Sequence, residues 1–395
     1  MTEEQKYIFK RKIKAKCLSL LFLTMRIFPI NNNKVVFACF EGDGGYGCNP
    51  KYIAEELIRR EKDVKIIWLT HNPEQEFPPQ IKAVKDTSLN TAYHLSTGKV
   101  WIDNYRKPYG TLKRKGQLYI QTWHASIGFK AVGLYRGDKF PKIARLVSEW
   151  DSNLIDYIIS NSDYCDRIYP KKLLFNGPTL RVGSPRVDIL INKTYEDSLK
   201  ERNKLGVNED DFVVLYAPTF RGGNQKNKKS VFAEDMTIDF EQLSEAIKQR
   251  FNRNCVILLR LHPQLAAKIL EINPDSTETI DVSKLPDISE IMVACDMLIT
   301  DYSSCAFDAA YANIPVILYA DDIQEYISGR GELMWTKEEI PFDVAENNDE
   351  LKELIVAFDE TKYIENVEKF LQRERVVEDG NASRRVVDMV MDYMN

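Results

Sequence analysis

The sequence predicts an α/β protein built from two parallel-sheet domains. Three observations carry that expectation. A chain of 395 residues is long enough to bury two cores. Short apolar runs alternate with helix-period segments in two successive series, as βαβ units require. Several of those runs end in polar residues, at the strand ends where open parallel sheets bind their ligands.

Composition narrows the class. With 44% hydrophobic and 29% charged residues, the chain has the balance of a globular protein rather than a disordered one. Its net charge is −5 but unevenly spread: residues 1–30 hold seven Lys and Arg against two acids. A basic arm on an acidic body argues against nucleic acid as a partner and fits an anionic surface met at one end. Seven cysteines form no CxxC pair and lie mostly in apolar runs, as in a reduced, cytosolic chain without a zinc site.

Residues 6–28 read as one helix, with Phe9, Ile13, Cys17, Leu20 and Ile27 on a stripe and lysines around its first half. The apolar stretch Leu18–Met25 is too short to span a bilayer, and no small-x-small cleavage site follows it. Segment 1–33 is therefore expected to lie as a basic helix in the membrane interface, the alternative being a helix packed on the body of the protein. Lys34–Phe40 is the first strand. Gly42–Gly47 matches GxGxxG, and Asn49 and Pro50 are expected as cap and first residue of a helix. A dinucleotide site would need an acid closing the second strand, but Val64–Leu69 runs into Thr70-His71-Asn72. The loop, with Gly44 and Asn49, reads either as part of a substrate cleft or as a tight turn.

Further strands are expected at Ala83–Lys85, Val100–Ile102, Leu118–Trp123, Asp156–Ser160 and Leu180–Gly183, with a helix around Leu89–Ser96. Gly183–Asp188 then leaves the first domain, taken as 34–190. A charged helix in 192–211 opens a second domain, 191–365. Its strands are Phe212–Tyr216, Cys255–Arg260 and Met297–Thr300, with apolar runs near Ile280 and Val316–Tyr319. Arg221–Ser230 is a basic loop, either solvated or a substrate lid. The segment 366–395 ends in an amphipathic helix, Asn381–Met394.

The polar strand ends supply the candidate chemistry, and their spread over two domains implies one interdomain cleft. His124 closes Leu118–Trp123; an imidazole with a pKa of about 6.5 is a candidate base, or a histidine that caps a strand. Arg260 and His262 alternate onto one side of an extended segment and could clamp a phosphate; His262 could also be structural before Pro263. Thr219 and Arg221 follow Phe212–Tyr216. Arg221 and Lys130 are candidate phosphate neutralisers. Asp301-Tyr302-Ser303-Ser304 turns the chain into a helix bearing Phe307, Ala310 and Tyr311. That turn would aim backbone N–H groups and the hydroxyls of Ser303 and Ser304 at an anion. Asp301 has no neighbouring ligand pattern, so no metal and no cofactor is expected. These parts suit phosphoryl transfer, which needs positioning, charge neutralisation and a base.

Taken together, QTWHASIGFKAVG (121–133), GSPRVD (183–188), YAPTFR (216–221), RLHP (260–263), ITDYSSCAFDAAYANIPVILYADDIQEY (299–326) and EDGNASRRV (378–386) resemble the CDP-glycerol glycerophosphotransferase family, which makes teichoic acids and related polymers. ACFEGDGGYGCNPKYI (38–53) is similar to that family's first loop and helix. The resemblance implies a GT-B fold: two Rossmann-like domains facing an interdomain cleft, with the C-terminal helix packing back on the first. It implies transfer of glycerol phosphate or ribitol phosphate from CDP-glycerol or CDP-ribitol to a hydroxyl of a lipid-linked saccharide or polymer acceptor, with release of CMP. It places the enzyme peripherally on the cytoplasmic face of the cell membrane. By position, His124 matches the general base, His262 the histidine that contacts the donor diphosphate, and Ser303 and Ser304 the donors at the helix start. After His124 the chain reads ASIGFKAVG where many members have GTPLKK, and the proline-glycine pair common after the position of Gly331 is missing; both bear on acceptor or polyol choice. The competing expectation is a nucleotide-sugar-dependent glycosyltransferase of the same architecture.

Overall fold

The computed structural model describes residues 1–60, 63–219, 237–261, 279–330 and 333–395. They form two compact units. The first comprises Met1–Ser126, Ala131–Asp188 and Val376–Asn395; the second comprises Ile127–Lys130 and Ile189–Arg375.

In the first unit, helix α1 (Glu3–Met25) precedes β1 (Asn31–Ala38), α2 (Cys48–Arg59), β2 (Lys65–Thr70), β3 (Ile81–Lys85) and α3 (Ser88–Thr97). Then come β4 (Gly98–Asp103), β5 (Leu118–Gln121), α4 (Lys142–Ser152), β6 (Tyr157–Ser160), α5 (Asp163–Lys172) and β7 (Thr179–Arg181). The strands pair in parallel in the order β3-β2-β1-β4-β5-β6-β7. Both faces are covered, so the strands are apolar on both sides. One face packs Val35, Phe37 and Trp68 against α2; the other packs Val36, Ile67 and Trp101 against α3.

Helix α1 is closed at its start by a capping box between Thr2 and Gln5. It packs through Phe22, with Leu18, Leu21 and Met25, on the face that α3 covers. The stripe seen in the sequence is not the packed side: Phe9, Ile13, Leu20 and Ile27 are exposed. The helix therefore rests on the unit by one side and leaves the stripe open on another.

The second unit begins with α6 (Asp188–Ile191), which straddles the boundary, and α7 (Tyr195–Leu205). It continues through β8 (Phe212–Ala217), α8 (Phe240–Phe251), β9 (Cys255–Leu259), β10 (Thr279–Asp281), α9 (Ile288–Val293), β11 (Met297–Thr300) and α10 (Cys305–Tyr311). Then follow β12 (Val316–Tyr319), α11 (Ile323–Arg330), β13 (Asp343–Ala345), α12 (Asn348–Val356) and α13 (Glu360–Arg373). Its sheet is also parallel, ordered β10-β9-β8-β11-β12-β13. Strand β13 has only three residues and starts on an aspartate, so it left no apolar run to read.

The last helix, α14 (Ala382–Met394), belongs to the first unit, where Val386, Val387 and Val390 join the core and Arg60 pairs with Asp388 at 2.6 Å. The return falls at Val376 rather than residue 366, because α13 stays with the second unit. There Phe370 stacks on Phe307 at 5.5 Å, and the Tyr363 hydroxyl donates to the Ile314 carbonyl at 2.7 Å.

In each sheet the strand order reverses once: between β1 and β4, and between β8 and β11. Ligands of open α/β sheets bind beyond the carboxyl ends at such reversals.

Candidate active site

At the first reversal, the chain leaving β1 is tied to the end of β4: the Phe40 N–H donates to Asn104 Oδ1 at 2.8 Å. Beyond β5, the Asn104 carbonyl lies 2.9 Å from Nδ1 of His124. A carbonyl can only accept, so Nδ1 carries the proton and Nε2 keeps its lone pair. The imidazole is half-buried among Trp123, Phe40 and Tyr105, at ring-centroid distances of 4.3, 5.0 and 5.8 Å. Burial takes its pKa down to about 3; the Asn104 bond opposes the fall, and Arg186, Lys172 and Arg106 add to it. At neutral pH it is an uncharged acceptor.

The expected strand through Trp123 stops at Gln121. The Asp103 carbonyl takes the Thr122 N–H at 2.8 Å, and Trp123 then turns left-handed, with φ 49°. A bulky residue in that region carries strain of roughly 1–2 kcal/mol, so its surroundings must hold it there. Its N–H donates to Gln121 Oε1 at 2.9 Å, and the Arg106 guanidinium lies 4.9 Å from its ring.

Asn49 contributes most to that hold. It is not the helix cap expected from the sequence: α2 begins at Cys48, with Gly47 before it. Asn49 is instead 3% exposed. Its Nδ2 donates to the carbonyls of Trp123 (3.0 Å) and Thr122 (3.3 Å), and its Oδ1 accepts the Arg186 N–H at 3.0 Å. The Arg186 guanidinium in turn donates to the His124 carbonyl. Lys172 donates to the carbonyls of Ala125 and Ser126, at 3.2 Å each. Asn49, expected in the substrate cleft, is thus bonded to the histidine segment and positions it.

Gly44 also acts indirectly. A Cβ there would meet a Phe40 ring carbon at 2.6 Å and Cys39 Sγ at 2.7 Å, so only glycine lets Phe40 lie where it flanks His124.

Beneath the loop is a buried polar network. Lys107 Nζ pairs with Asp103 at 2.6 Å, and its N–H donates to Asp151 at 2.9 Å. The Tyr119 hydroxyl donates to Asp151 at 3.3 Å and accepts from Gln121 Nε2 at 2.9 Å. The ammonium pairs with Asp103 alone, and Asp151 is held by neutral donors. Burial raises the pKa of both carboxyl groups, that of Asp151 to about 7.

Sequence reasoning missed Asn104, Lys172 and Arg186 as parts of this site. The signal for Arg186 was present in two motifs far apart in the chain. Glu378 accepts from Asn161 Nδ2 at 2.8 Å and from the Ser184 N–H at 3.0 Å. Asp188 accepts the N–H groups of Ala382 and Ser383 at 3.0 and 2.7 Å, capping α14. GSPRVD and EDGNAS are thus two halves of one clasp, which holds Arg186 in place.

At the second reversal, the Thr300 hydroxyl donates to the Ala217 carbonyl at 2.7 Å. Asp301, expected to face substrate, is 2% exposed. Its carboxylate accepts the Thr219 N–H at 2.9 Å and the Tyr302 N–H at 2.6 Å. It joins the ends of β8 and β11, so its part is to position Thr219. Lys130 Nζ donates to the Thr219 hydroxyl at 3.4 Å. Lys130 is held by a bridge to Leu333, by the Met334 N–H donating to the Phe129 carbonyl at 2.8 Å, and by Phe129 against Phe307 at 4.9 Å.

Ser303 and Ser304 precede α10 and are half-buried. The array of free N–H groups expected there is narrower than the sequence suggested. Cys305 N–H is 3.5 Å from Ser303 Oγ, and those of Ala306 and Phe307 donate to the carbonyls of Ser303 and Ser304 at 3.3 and 3.1 Å. With only seven residues, α10 has a small dipole, and the two hydroxyls are the main polar groups that this turn presents.

Arg260 departs from the expected clamp. Its guanidinium donates to the carbonyls of Val282 and Leu285 at 3.2 and 2.7 Å, bracing the turn after β10. His262 and Arg221 lie outside the described residues. Among the described residues, no cluster of three or more His, Cys, Asp or Glu is arranged to hold a metal ion.

Two parallel-sheet units, each with polar groups gathered at its strand-order reversal, define a GT-B-type fold. The wall teichoic acid polymerase TagF, solved after soaking with CDPG, superposes with a TM-score of 0.83 at 28% identity, over 99% of this chain and 97% of that one. A putative UDP-N-acetylglucosamine 2-epimerase from Listeria monocytogenes, at 13% identity and a TM-score of 0.52, shares the fold alone.

A family model for CDP-glycerol:poly(glycerophosphate) glycerophosphotransferases matches residues 20–392, and the chain belongs to that family. The teichoic acid poly(glycerol phosphate) polymerase of Bacillus spizizenii is 26% identical over 96% of this chain and 98% of its own. The teichoic acid glycerol-phosphate transferase of Staphylococcus aureus is 30% identical over 97% of this chain and 100% of its own. Against the polymerase of Staphylococcus epidermidis, 30% identical, the chain spans 53% of the relative's length. The chain is an enzyme of the CDP-glycerol glycerophosphotransferase type, and the glycosyltransferase alternative is set aside.

Proposed function

We propose that the enzyme transfers glycerol phosphate or ribitol phosphate from a CDP-alcohol to a hydroxyl of a lipid-linked acceptor at the cytoplasmic face of the membrane. The observation that carries the mechanism is the Asn104 carbonyl, which leaves Nε2 of His124 as the free acceptor. In this reading Nε2 takes the proton of the acceptor hydroxyl as that oxygen bonds to the phosphorus bearing the polyol. The bond from that phosphorus to the bridging oxygen breaks, and CMP leaves with the electron pair. The negative charge of a bound diphosphate raises the proton affinity of the imidazole, which compensates for its low pKa in the empty site. Lys130, Thr219, Ser303 and Ser304 hold the diphosphate, and His262 and Arg221 join them by their positions in the motifs.

Membrane attachment is assigned to α1. Its exposed Phe9, Ile13 and Leu20 stand among Lys6, Lys10, Arg11, Lys12, Lys14 and Lys16, with exposed Ile27 just beyond its end, the pairing that suits an anionic interface. No helix of the described residues is long and apolar enough to cross a membrane.

Mass spectrometry of products from a panel of CDP-alcohols and lipid-linked acceptors tests the reaction. Acceptor extended by polyol phosphate, with CMP as co-product, is expected; release of a nucleoside diphosphate would overturn it. His124→Ala should lower kcat by roughly 10²–10⁴ with little change in donor KM, as loss of a general base does. Loss of donor affinity with kcat intact would reverse the assigned roles.

A further inference from the structure

Away from both strand-order reversals, the start of the first sheet buries a cation that the chemistry does not use. Lys34 is 3% exposed. Its Nζ donates to the Thr97 hydroxyl at 2.7 Å and lies 5.1 Å from the Tyr93 ring centroid. In register, Lys34 stands beside Lys65, and Lys82 stands beside Ile67, two residues on from Lys65. Side chains alternate along a strand, so all three lysines project from one face. It is the face that α3 covers, since Val36 and Ile67 pack there with Ala92 and Leu95.

From α3, His94 enters the same group. It is 9% exposed, and its Nδ1 is buried without a partner. The charges acting on Lys34 are Lys65 and Lys82; those acting on His94 are the same three lysines, with no carboxylate in either set. Burial first, and these cations second, take Lys34 to about 7 and His94 to about 4. Solvated surface lysines would account for Lys65 and Lys82 alone. They do not account for a buried amine beside them, or for the buried, unpartnered Nδ1 of His94. Keeping Lys34 charged there is costly, and an anion would offset that cost.

The rim of the cluster indicates which anion. Phe28, just beyond α1, meets Tyr93 edge-on at 5.4 Å. Phe28, Tyr93 and Leu89, one turn before Tyr93 on α3, are all exposed, as is Ile27. A small soluble anion has no use for an apolar rim, whereas a phosphate headgroup carrying acyl chains does. We infer that Lys34, Lys65, Lys82 and His94 form a seat for the phosphodiester headgroup of an anionic lipid, with Phe28 and Leu89 beside its chains. The inference rests on the membrane reading of α1 and adds a headgroup site to it.

The test is partition of the full chain onto phosphatidylcholine vesicles with and without phosphatidylglycerol. Wild type should prefer the phosphatidylglycerol vesicles. Lys65→Gln/Lys82→Gln should lose roughly tenfold or more of that binding, the effect of two lysines at an anionic surface. Lys362→Gln/Lys369→Gln, which removes the same charge from α13, should lose little. Thermal melts establish that the variants fold. Equal binding by Lys65→Gln/Lys82→Gln and wild type, or equal loss in both pairs, overturns the headgroup seat alone. Wild type that ignores phosphatidylglycerol overturns the membrane reading as well. Inorganic phosphate at matched ionic strength should leave vesicle binding unchanged; competition by it would assign the site to a soluble phosphate instead.

Discussion

The partner of His124 is a backbone carbonyl, not a carboxylate. A carboxylate would orient the ring and also stabilise its protonated form by its charge; the uncharged Asn104 carbonyl orients the ring, and burial outweighs its support of the protonated form. The neutral base therefore persists well below the ordinary imidazole range. In the free enzyme, the acid limb of kcat/KM should fall below about pH 5 as far as His124 governs it, whereas a limb near pH 6.5 would mean an imidazole in ordinary solvent. Asn49→Ala is expected to destabilise by about 2–3 kcal/mol in urea unfolding, because two carbonyls and the Arg186 N–H lose a buried partner. Its kcat should fall more than its donor KM rises, since the histidine segment loosens while Lys130 and Thr219 do not. The positions of His124, Thr219 and Ser303 just past strand ends were legible in the sequence. The direction of Arg260 was not: alternation gives a side chain its face, but the carbonyls of Val282 and Leu285 that capture it lie more than twenty residues away.

Among elements, the strands were easier to read than what happens where they stop. β5 ends early because Trp123 turns left-handed, which has no signature in hydrophobic period. The stop is braced by the Asp103–Lys107–Asp151 network, which makes it sensitive to pH. Asp151 holds its proton up to about pH 7 when folded, while an unfolded aspartate releases it near pH 4. The folded state binds more protons across that window, so this group makes stability fall as pH rises from about 4 to about 7. Asp151→Asn should flatten that slope and raise the urea midpoint above pH 7. An unchanged slope would place the titration elsewhere. Helix α1 shows the converse limit: its stripe was visible in the sequence, but only tertiary packing shows that Phe22, off the stripe, does the anchoring.

At the scale of the whole molecule, two sheets and their parallel strands followed from the alternating pattern, but strand order did not. Nothing local says that β4 pairs with β1 rather than β3, and that choice creates the reversal where His124 is held. The division of the chain was likewise only partly legible, because Ile127–Lys130 goes with the second unit and Val376–Asn395 with the first. Asp188→Ala removes the cap of α14 and should cost about 2 kcal/mol. Hydrogen exchange should then quicken in α14 and in α2, which packs beside it, and stay slow in β8 and β11. Faster exchange in β8 and β11 as well would show that the clasp supports more than the first unit.

The same clasp sets a timetable for synthesis. The first unit cannot finish its core until Val386, Val387 and Val390 have been made. Asp188 and Ala382 are 194 residues apart. A ribosome adding roughly 5–20 residues per second needs on the order of 10–40 s to cover that distance. Through that interval the nascent first sheet has one flank bare, while the second unit emerges and has all its residues to hand. The unit that starts first is completed last, and the bare flank is the surface a holding chaperone would meet on the nascent chain.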